Sequence, residues 1–359
     1  NVNNGSLWGV TTIMTNKIDY YVGANLAMTQ FWRTGYMRNG RFPSTSKGDS
    51  KKENFTEYGV KGGATWKING RNFVVVNATY QTQAPFFRDS YISPRTSNRL
   101  VNGLTDQKIL GGDINYNIRT PYIKARFSAY FTKFKDMNEL KSFYYDTYNT
   151  FVNYSITGID KEHKGIEIGA EIKATSTLKI KLAAALGSYK YVSRPNVTIT
   201  KDNSDSIFAY NKALYIKNFF VPNTPQTAAM IGLNYAAPKN IYLEASVSYF
   251  GDTYIDYNPE RRTAELVDPA NPNLDIITKQ KSVSSAFLVD ASIGKSWKIK
   301  KYYINLNFQV ANVLDKTDFK TGGFEQLRFS GLSSDISKFP PRYYYAYGRT
   351  YYLNIGFRF

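Results

Sequence analysis

The 359-residue chain has no cysteine and one histidine, His163, so it has neither a disulfide framework nor the makings of a Cys/His metal cluster. It contains no run of roughly 18 apolar residues, which excludes a membrane-crossing helix. Its net charge of +18 is scattered along the chain. No compact Lys/Arg block, zinc-finger spacing or RNA-binding signature accompanies that charge, so nucleic acid is not the expected partner; lipopolysaccharide phosphates or an anionic ligand fit better. No signal sequence is visible, and Asn1 to Gly5 read as a polar loop. The chain is rich in aromatic residues, with 30 Tyr and 23 Phe. Such rings suit girdles at membrane interfaces and a wet, ligand-binding interior.

The closing residues show the pattern most clearly. Side chains on a strand point alternately to opposite faces, so Leu353, Ile355, Phe357 and Phe359 share one face, with Tyr352, Asn354, Gly356 and Arg358 on the other. In a lipid-spanning barrel the first face meets hydrocarbon and the second lines the lumen. Ile241 to Phe250, Tyr302 to Ala311 and Gly165 to Lys173 alternate in the same way, each about as long as a tilted membrane strand needs. In the last of these, Glu167, Glu171 and Lys173 share the face that water can reach.

Short turns are expected at residues 15–17, 69–71, 119–121, 175–177, 237–240 and 298–301, where Thr, Asn, Gly, Pro and Lys cluster. Between the hairpins lie longer polar and aromatic connections, roughly 34–54, 85–105, 137–160, 194–222, 254–282 and 316–346. Tight turns at one rim and long loops at the other are the asymmetry of an outer-membrane barrel, with periplasmic turns and extracellular loops. A soluble sandwich has no reason to collect its long loops at one end. Six turns and six loops give about thirteen strands, the first roughly Ser6 to Met14. Single-chain bacterial barrels have an even number. With the C-terminus periplasmic, residue 1 is expected on the extracellular side, and an odd number of strands is expected from outside this chain.

Several segments resemble the C-terminal barrel part of TonB-dependent outer-membrane transporters of the Bacteroidota. They are Val221-Pro222-Asn223-Thr224-Pro225-Gln226-Thr227, Val310-Ala311-Asn312-Val313-Leu314-Asp315-Lys316, Gly348-Arg349-Thr350-Tyr351 leading to Phe359, and Asn153 followed by Gly158, Gly165, Ile166 and Glu167. The resemblance covers essentially the whole chain. It implies an all-β transmembrane antiparallel β-barrel in which residues 1–359 form about 13 C-terminal strands of 22, with no second domain. A plug domain and the remaining strands are then supplied outside this chain. The implied activity is active, TonB-dependent import of a glycan, peptide, metal chelate or cobalamin across the outer membrane. The implied partners are the TonB-ExbB-ExbD complex, a surface lipoprotein and lipopolysaccharide, with no cofactor. Phe357 and Phe359 match the C-terminal assembly signal of such barrels. A passive porin-like channel and a surface adhesin or structural barrel are the alternatives.

No catalytic constellation stands out, and the chain is not expected to be an enzyme. His163, between Glu162 and Lys164, reads as a solvated residue at a loop-to-strand junction, with no Ser placed for a Ser-His-Asp relay. Asp268, Asn271, Asn273 and Asp275 lack EF-hand spacing and read as a Pro-rich loop, so no metal site is expected. Asn-x-Ser/Thr sequons at Asn54, Asn77, Asn153 and Asn196 are chance matches, Asn77 falling inside a strand. Ligand capture is expected at the extracellular rim, through Phe86, Phe87, Arg88, Tyr144, Tyr145, Tyr148, Tyr254, Tyr257, Arg261, Arg262, Tyr343, Tyr344 and Tyr345. Aromatic rings beside guanidinium groups suit stacking on sugar or catecholate rings. Girdle placement and loop packing are the competing uses of the same rings.

Overall fold

The computed structural model describes all residues except 41, 146–148, 203–206, 265–266, 268, 271–273 and 328–338. Thirteen antiparallel strands follow one another in chain order across a single sheet. They are β1 (Val2–Met14), β2 (Ile18–Phe31), β3 (Glu53–Asn69), β4 (Asn72–Gln83), β5 (Gln107–Arg119), β6 (Ile123–Tyr145), β7 (Thr150–Lys173), β8 (Leu178–Tyr191), β9 (Pro225–Ala237), β10 (Ile241–Tyr254), β11 (Ala286–Ile299), β12 (Tyr302–Ala311) and β13 (Thr350–Arg358). Among the described residues no helix is long and apolar enough to cross a membrane.

All six expected short turns lie between consecutive strands. Four of them share one device, a side-chain oxygen that accepts the backbone N–H three residues on. Thr15 accepts from Ile18 at 3.0 Å, Asn69 from Asn72 at 3.0 Å, Thr120 from Ile123 at 2.9 Å and Thr175 from Leu178 at 2.9 Å. Ser, Thr and Asn offer this substitute for a ladder bond, which is why they punctuate the strands.

Cross-strand register extends the two faces read from the sequence across the whole sheet. Leu353 pairs with Phe308, Phe308 with Ile293, Ile293 with Leu243 and Leu243 with Tyr235, so one face stays apolar from strand to strand. The opposite face carries Asn354, Asn307, Gly294, Tyr242 and Ala236 in the same rows. This is the wall of a transmembrane β-barrel, apolar side outward. A charge at mid-depth on the outward face would cost about 2–4 kcal/mol. Lys295 has the outward parity, but it lies near the short-turn rim with its Nζ 5.2 Å from the centre of the Trp297 ring. Among the described residues β1 pairs only with β2 and β13 only with β12, so the sheet has two free edges.

Three expectations are corrected. Val2 to Gly5 are strand, paired with Phe31 to Met28, rather than a polar loop, because neighbouring β2 supplies a full ladder for a segment with little apolar pattern of its own. Residues 137–160 are not a loop: β6 and β7 run 23 and 24 residues and are interrupted only between Tyr145 and Thr150. Register shifts between Phe134 and Glu139, with Asp136 at φ 58° and Gly158 at φ 73°, break the alternation there and hide the strands from a period-two reading. The 194–222 connection is likewise partly hairpin, with strands Asn196–Lys201 and Ile207–Ala213, the first pairing with Val152 to Thr157 of β7.

Candidate functional site at the long-loop rim

At about 3.3 Å per residue, β6 and β7 are roughly 75–80 Å long, whereas about 9–11 residues suffice to cross the hydrocarbon layer. Their upper halves therefore stand clear of the wall and, with Asn196–Lys201 and Ile207–Ala213, make a small sheet above the rim. One face of it is apolar. Phe143, Val152, Tyr154, Ile156 and Ile159 pack there with Val197, Ile199, Leu214, Ile216, Tyr191 and Tyr257 in the main buried core of the chain. The long-loop end is thus a packed lobe.

Buried charges tie this lobe together. Lys141 of β6 reaches Asp256 with Nζ–O distances of 2.8 and 2.7 Å and lies 4.3 Å over the Tyr257 ring. Burial opposes its charge, but Glu139 and Asp256 outweigh that effect, and Lys141 stays above its ordinary pKa. Arg262 and Glu325, both fully buried, pair at 3.0 Å. Glu325 also accepts the Asn258 N–H at 2.9 Å, and the Arg262 guanidinium lies 5.3 Å from the Phe219 ring centre. Burial lowers the Arg262 pKa, with Glu325 opposing. The hydroxyls of Tyr145 and Tyr154 both donate to Glu260.

The other face of the small sheet is polar and meets the 84–106 connection. Between them lies a crevice of about 380 Å³ lined by Arg88, Arg95, Ser93, Ser142, Asn153, Asp202 and Phe151. Asp202 is occupied, accepting from Ser93 at 2.6 Å and Asn153 at 3.3 Å. Arg88 and Arg95 are exposed, and Phe151, 48% exposed and edge-on to Tyr144, gives the crevice an apolar wall. Arg33 holds the floor by donating to the carbonyls of Pro94 at 2.8 Å, Arg95 at 3.0 Å and Ser46 at 3.2 Å, which fixes two loops to one another. The crevice offers two cations and an aromatic ring to an anionic, ring-bearing ligand.

The expected site residues fall into distinct groups. Arg88 lines the crevice and Tyr144 backs it through Phe151, while Phe86 is exposed beside it. Phe87 turns inward against Phe31 and Tyr91. Tyr254 is stacked on Phe220 at 4.2 Å, and Tyr145 is engaged with Glu260. Tyr257, Arg261 and Arg262 are buried, which corrects their placement on an open binding surface: they pack the loops on one another. Tyr344 and Tyr345 are exposed on a separate short hairpin, and Tyr343 lies under Lys320 at 4.2 Å. Tyr148 lies outside the described residues. Arg95, Phe151 and Asp202 have no sequence signal as a set, because they come from one strand and two connections far apart in the chain.

His163 is also corrected. It lies within β7 on the polar face, half-buried between Phe134 at 5.1 Å and Tyr189 at 4.7 Å, because the strand begins at Thr150, thirteen residues before it, rather than at the expected junction. Its Nε2 has no hydrogen-bond partner among the described residues, so no Ser-His relay is assembled there. Among the described residues no three His, Cys, Asp or Glu side chains cluster as metal ligands. Asp268, Asn271 and Asn273 fall outside the described residues, and Asp275 lies in the first turn of the short helix Leu274–Thr278.

The segments that carry the family resemblance act as pins. Asn312, at φ 52°, donates to the carbonyls of Lys316 at 3.0 Å and Tyr347 at 3.1 Å, while Asp315 accepts from Arg349 at 2.8 Å, fixing the loop to the start of β13. Asn223 accepts the Gly323 N–H at 2.8 Å, and Pro225 opens β9, where a missing donor is tolerated.

No family model and no curated relative matches the sequence. Solved structures do. The chain is similar to the siderophore receptor PiuA from Acinetobacter baumannii, with a TM-score of 0.62 and 14% identity over 99% of this chain and 43% of that one. It is similar to the ferric-catecholate import receptor Fiu from E. coli K12 in its closed form, with a TM-score of 0.59 and 16% identity over 98% of this chain and 44% of that one. The copper transporter OprC gives a TM-score of 0.63 and 13% identity over 99% and 47%. At these identities the likeness establishes the fold, the barrel wall of outer-membrane receptors and transporters. The chain spans less than half the length of each of these structures.

Proposed function

We propose that this chain forms one side of the barrel and the extracellular mouth of a TonB-dependent outer-membrane receptor that actively imports an anionic ligand. The observation that carries the reading is the joining of two parts. A thirteen-strand wall, apolar outside and polar inside, is continuous with a packed lobe presenting Arg88, Arg95 and Phe151 at an open crevice. The long-loop rim is then extracellular and the C-terminus periplasmic. Because β1 and β13 are both odd in the series, they run in the same direction and cannot close antiparallel upon each other. Closure needs an odd number of further strands, in keeping with additional wall and a plug contributed by polypeptide outside this chain. The two guanidiniums favour a metal-chelate or other carboxylate- or catecholate-bearing ligand over a neutral glycan, and the structural neighbours include a siderophore receptor and a ferric-catecholate receptor.

Uptake by whole cells tests this. Accumulation of a labelled ferric catecholate is expected to stop when TonB is deleted or the proton-motive force is collapsed. Uptake that persists under both treatments makes the protein a passive channel, and surface binding without uptake makes it an adhesin. Arg88→Glu with Arg95→Glu is expected to weaken ligand binding by about tenfold or more, as the loss of one charge-assisted hydrogen bond implies.

A further inference from the structure

Four Asn-Gly pairs occur in the chain, beginning at Asn4, Asn39, Asn69 and Asn102. Each carries a latent reaction, because a glycine nitrogen has no Cβ beside it to shield it and can attack the carboxamide carbon of the preceding asparagine. How firmly the fold holds the pair decides whether it does.

Three of the pairs are held. Asn4 and Gly5 lie in β1, paired with Thr29 and Met28, and the Asn4 Nδ2 donates to Thr29 Oγ1 at 2.7 Å. Asn69 is clamped by its own turn. Its Oδ1 accepts the N–H of Arg71 at 2.9 Å, the N–H of Asn72 at 3.0 Å and the Asn72 Nδ2 at 2.9 Å, which draws the carboxamide forward past Gly70. Asn39 is fixed through its main chain, its N–H donating to Ser46 Oγ at 2.8 Å and its carbonyl accepting from Phe42 at 3.0 Å.

Asn102 differs from all three. The connection it belongs to is tied down as far as the residue before it: the Ile92 N–H donates to the Arg99 carbonyl at 3.1 Å, the Val101 N–H donates to the Ser90 carbonyl at 2.9 Å, and Val101 is buried. Gln107, at the start of β5, is buried again. Between these fixed points Asn102 and Gly103 are exposed, and neither makes a hydrogen bond among the described residues. Gly103 sits at φ 76°, so the turn itself calls for glycine, and with it an unshielded nitrogen.

We propose that Asn102 is a site of spontaneous deamidation, the Asn-Gly pair that the fold leaves reactive. The Gly103 nitrogen bonds to the Asn102 Cγ and loses its proton, and the carboxamide nitrogen leaves as ammonia. Water then opens the cyclic imide. Opening at Cγ gives aspartate, whereas opening at the main-chain carbonyl gives isoaspartate and moves a methylene into the backbone; nothing is oxidised or reduced. Either product puts a carboxylate into the connection that carries Arg88 and Arg95. The proposal goes beyond import and does not rest on that reading.

The test ages the full-length protein, in detergent, in mildly alkaline water enriched in heavy oxygen, beside the same protein unfolded in guanidinium chloride, and maps both by mass spectrometry. In the folded protein solvent oxygen should enter at Asn102 well before Asn4, Asn39 or Asn69, with isoaspartate detected there by isoaspartyl methyltransferase. After unfolding the four should react at comparable rates, because local sequence is then all that acts. Asn102→Gln, whose longer side chain closes a ring far more slowly, should abolish methyl acceptance by the folded protein, and Asn69→Gln should leave it. Reaction at Asn102 no faster than at Asn69, the same preference for Asn102 after unfolding, or aspartate without isoaspartate would overturn the proposal, the last because direct hydrolysis makes aspartate alone.

Discussion

Removing the acid from the buried Arg262–Glu325 pair should loosen the lobe without touching the wall. Both side chains are shut off from solvent, 0% and 1% exposed, and their contact is 3.0 Å. Glu325→Gln keeps the shape and an acceptor for the Asn258 N–H, but it leaves the Arg262 charge buried beside Phe219 with no opposite charge. Breaking a buried pair in this way costs about 3–5 kcal/mol, which corresponds to a rise of about two to three and a half powers of ten in the opening constant. Hydrogen exchange of the detergent-solubilised protein reads this directly. Amides of 255–263 and the Tyr215 N–H, which bonds the Arg262 carbonyl at 2.8 Å, are expected to exchange faster, while β9 to β12 are unchanged. Arg262→Met with Glu325→Leu should exchange more slowly than either single variant, because an apolar pair has no desolvation cost to repay. Unchanged exchange in Glu325→Gln, or a double variant as loose as the singles added together, would refute the reasoning.

Arg33→Ala removes three carbonyl contacts between two loops and is expected to cost about 2–3 kcal/mol of local stability, seen as protease cleavage within 84–106 ahead of the rest. Phe308→Arg, on the apolar face, should destabilise the inserted barrel by about 2–4 kcal/mol in urea titrations from lipid vesicles. Asn307→Arg, one residue away on the polar face, should be tolerated, and equal effects would contradict the face assignment. Asp89 accepts the Leu140 N–H at 3.3 Å, yet burial, more than that bond, holds its carboxyl above the ordinary value of 3.8. Just above pH 3.8 the docked loop therefore binds more protons than the released one. Attachment of 84–106 should weaken as pH rises through that interval and then level off. Asp89→Asn should flatten the profile measured by proteolysis.

Local signals were enough wherever one strand met its neighbour through a short turn. Thr15, Asn69, Thr120 and Thr175 announce their turns because each carries its own hydrogen-bond acceptor, and Leu353, Ile355 and Phe357 announce their face because a strand has a period of two. The β6–β7 extension was invisible for the converse reason: its bulges shift the period, and its apolar residues answer to a third strand from residues 196–201. Of the expected ligand residues, Arg88 and Phe86 keep an open surface at the crevice, and Tyr344 and Tyr345 keep one on a separate hairpin. Arg261, Arg262 and Tyr257 have the same composition signature and were drawn inside, since nothing local tells a guanidinium with a buried carboxylate in reach from one facing water.

The sequence by itself determined a lipid-facing wall of about thirteen strands with its long loops at one end, because alternation and turn chemistry act over two to four residues. Only the tertiary structure decided which charges are buried, that the loops condense into a lobe, and that Arg88, Arg95 and Phe151 share a crevice. These depend on Glu325 reaching Arg262 and Asp256 reaching Lys141, contacts across 63 and 115 residues that no local pattern encodes.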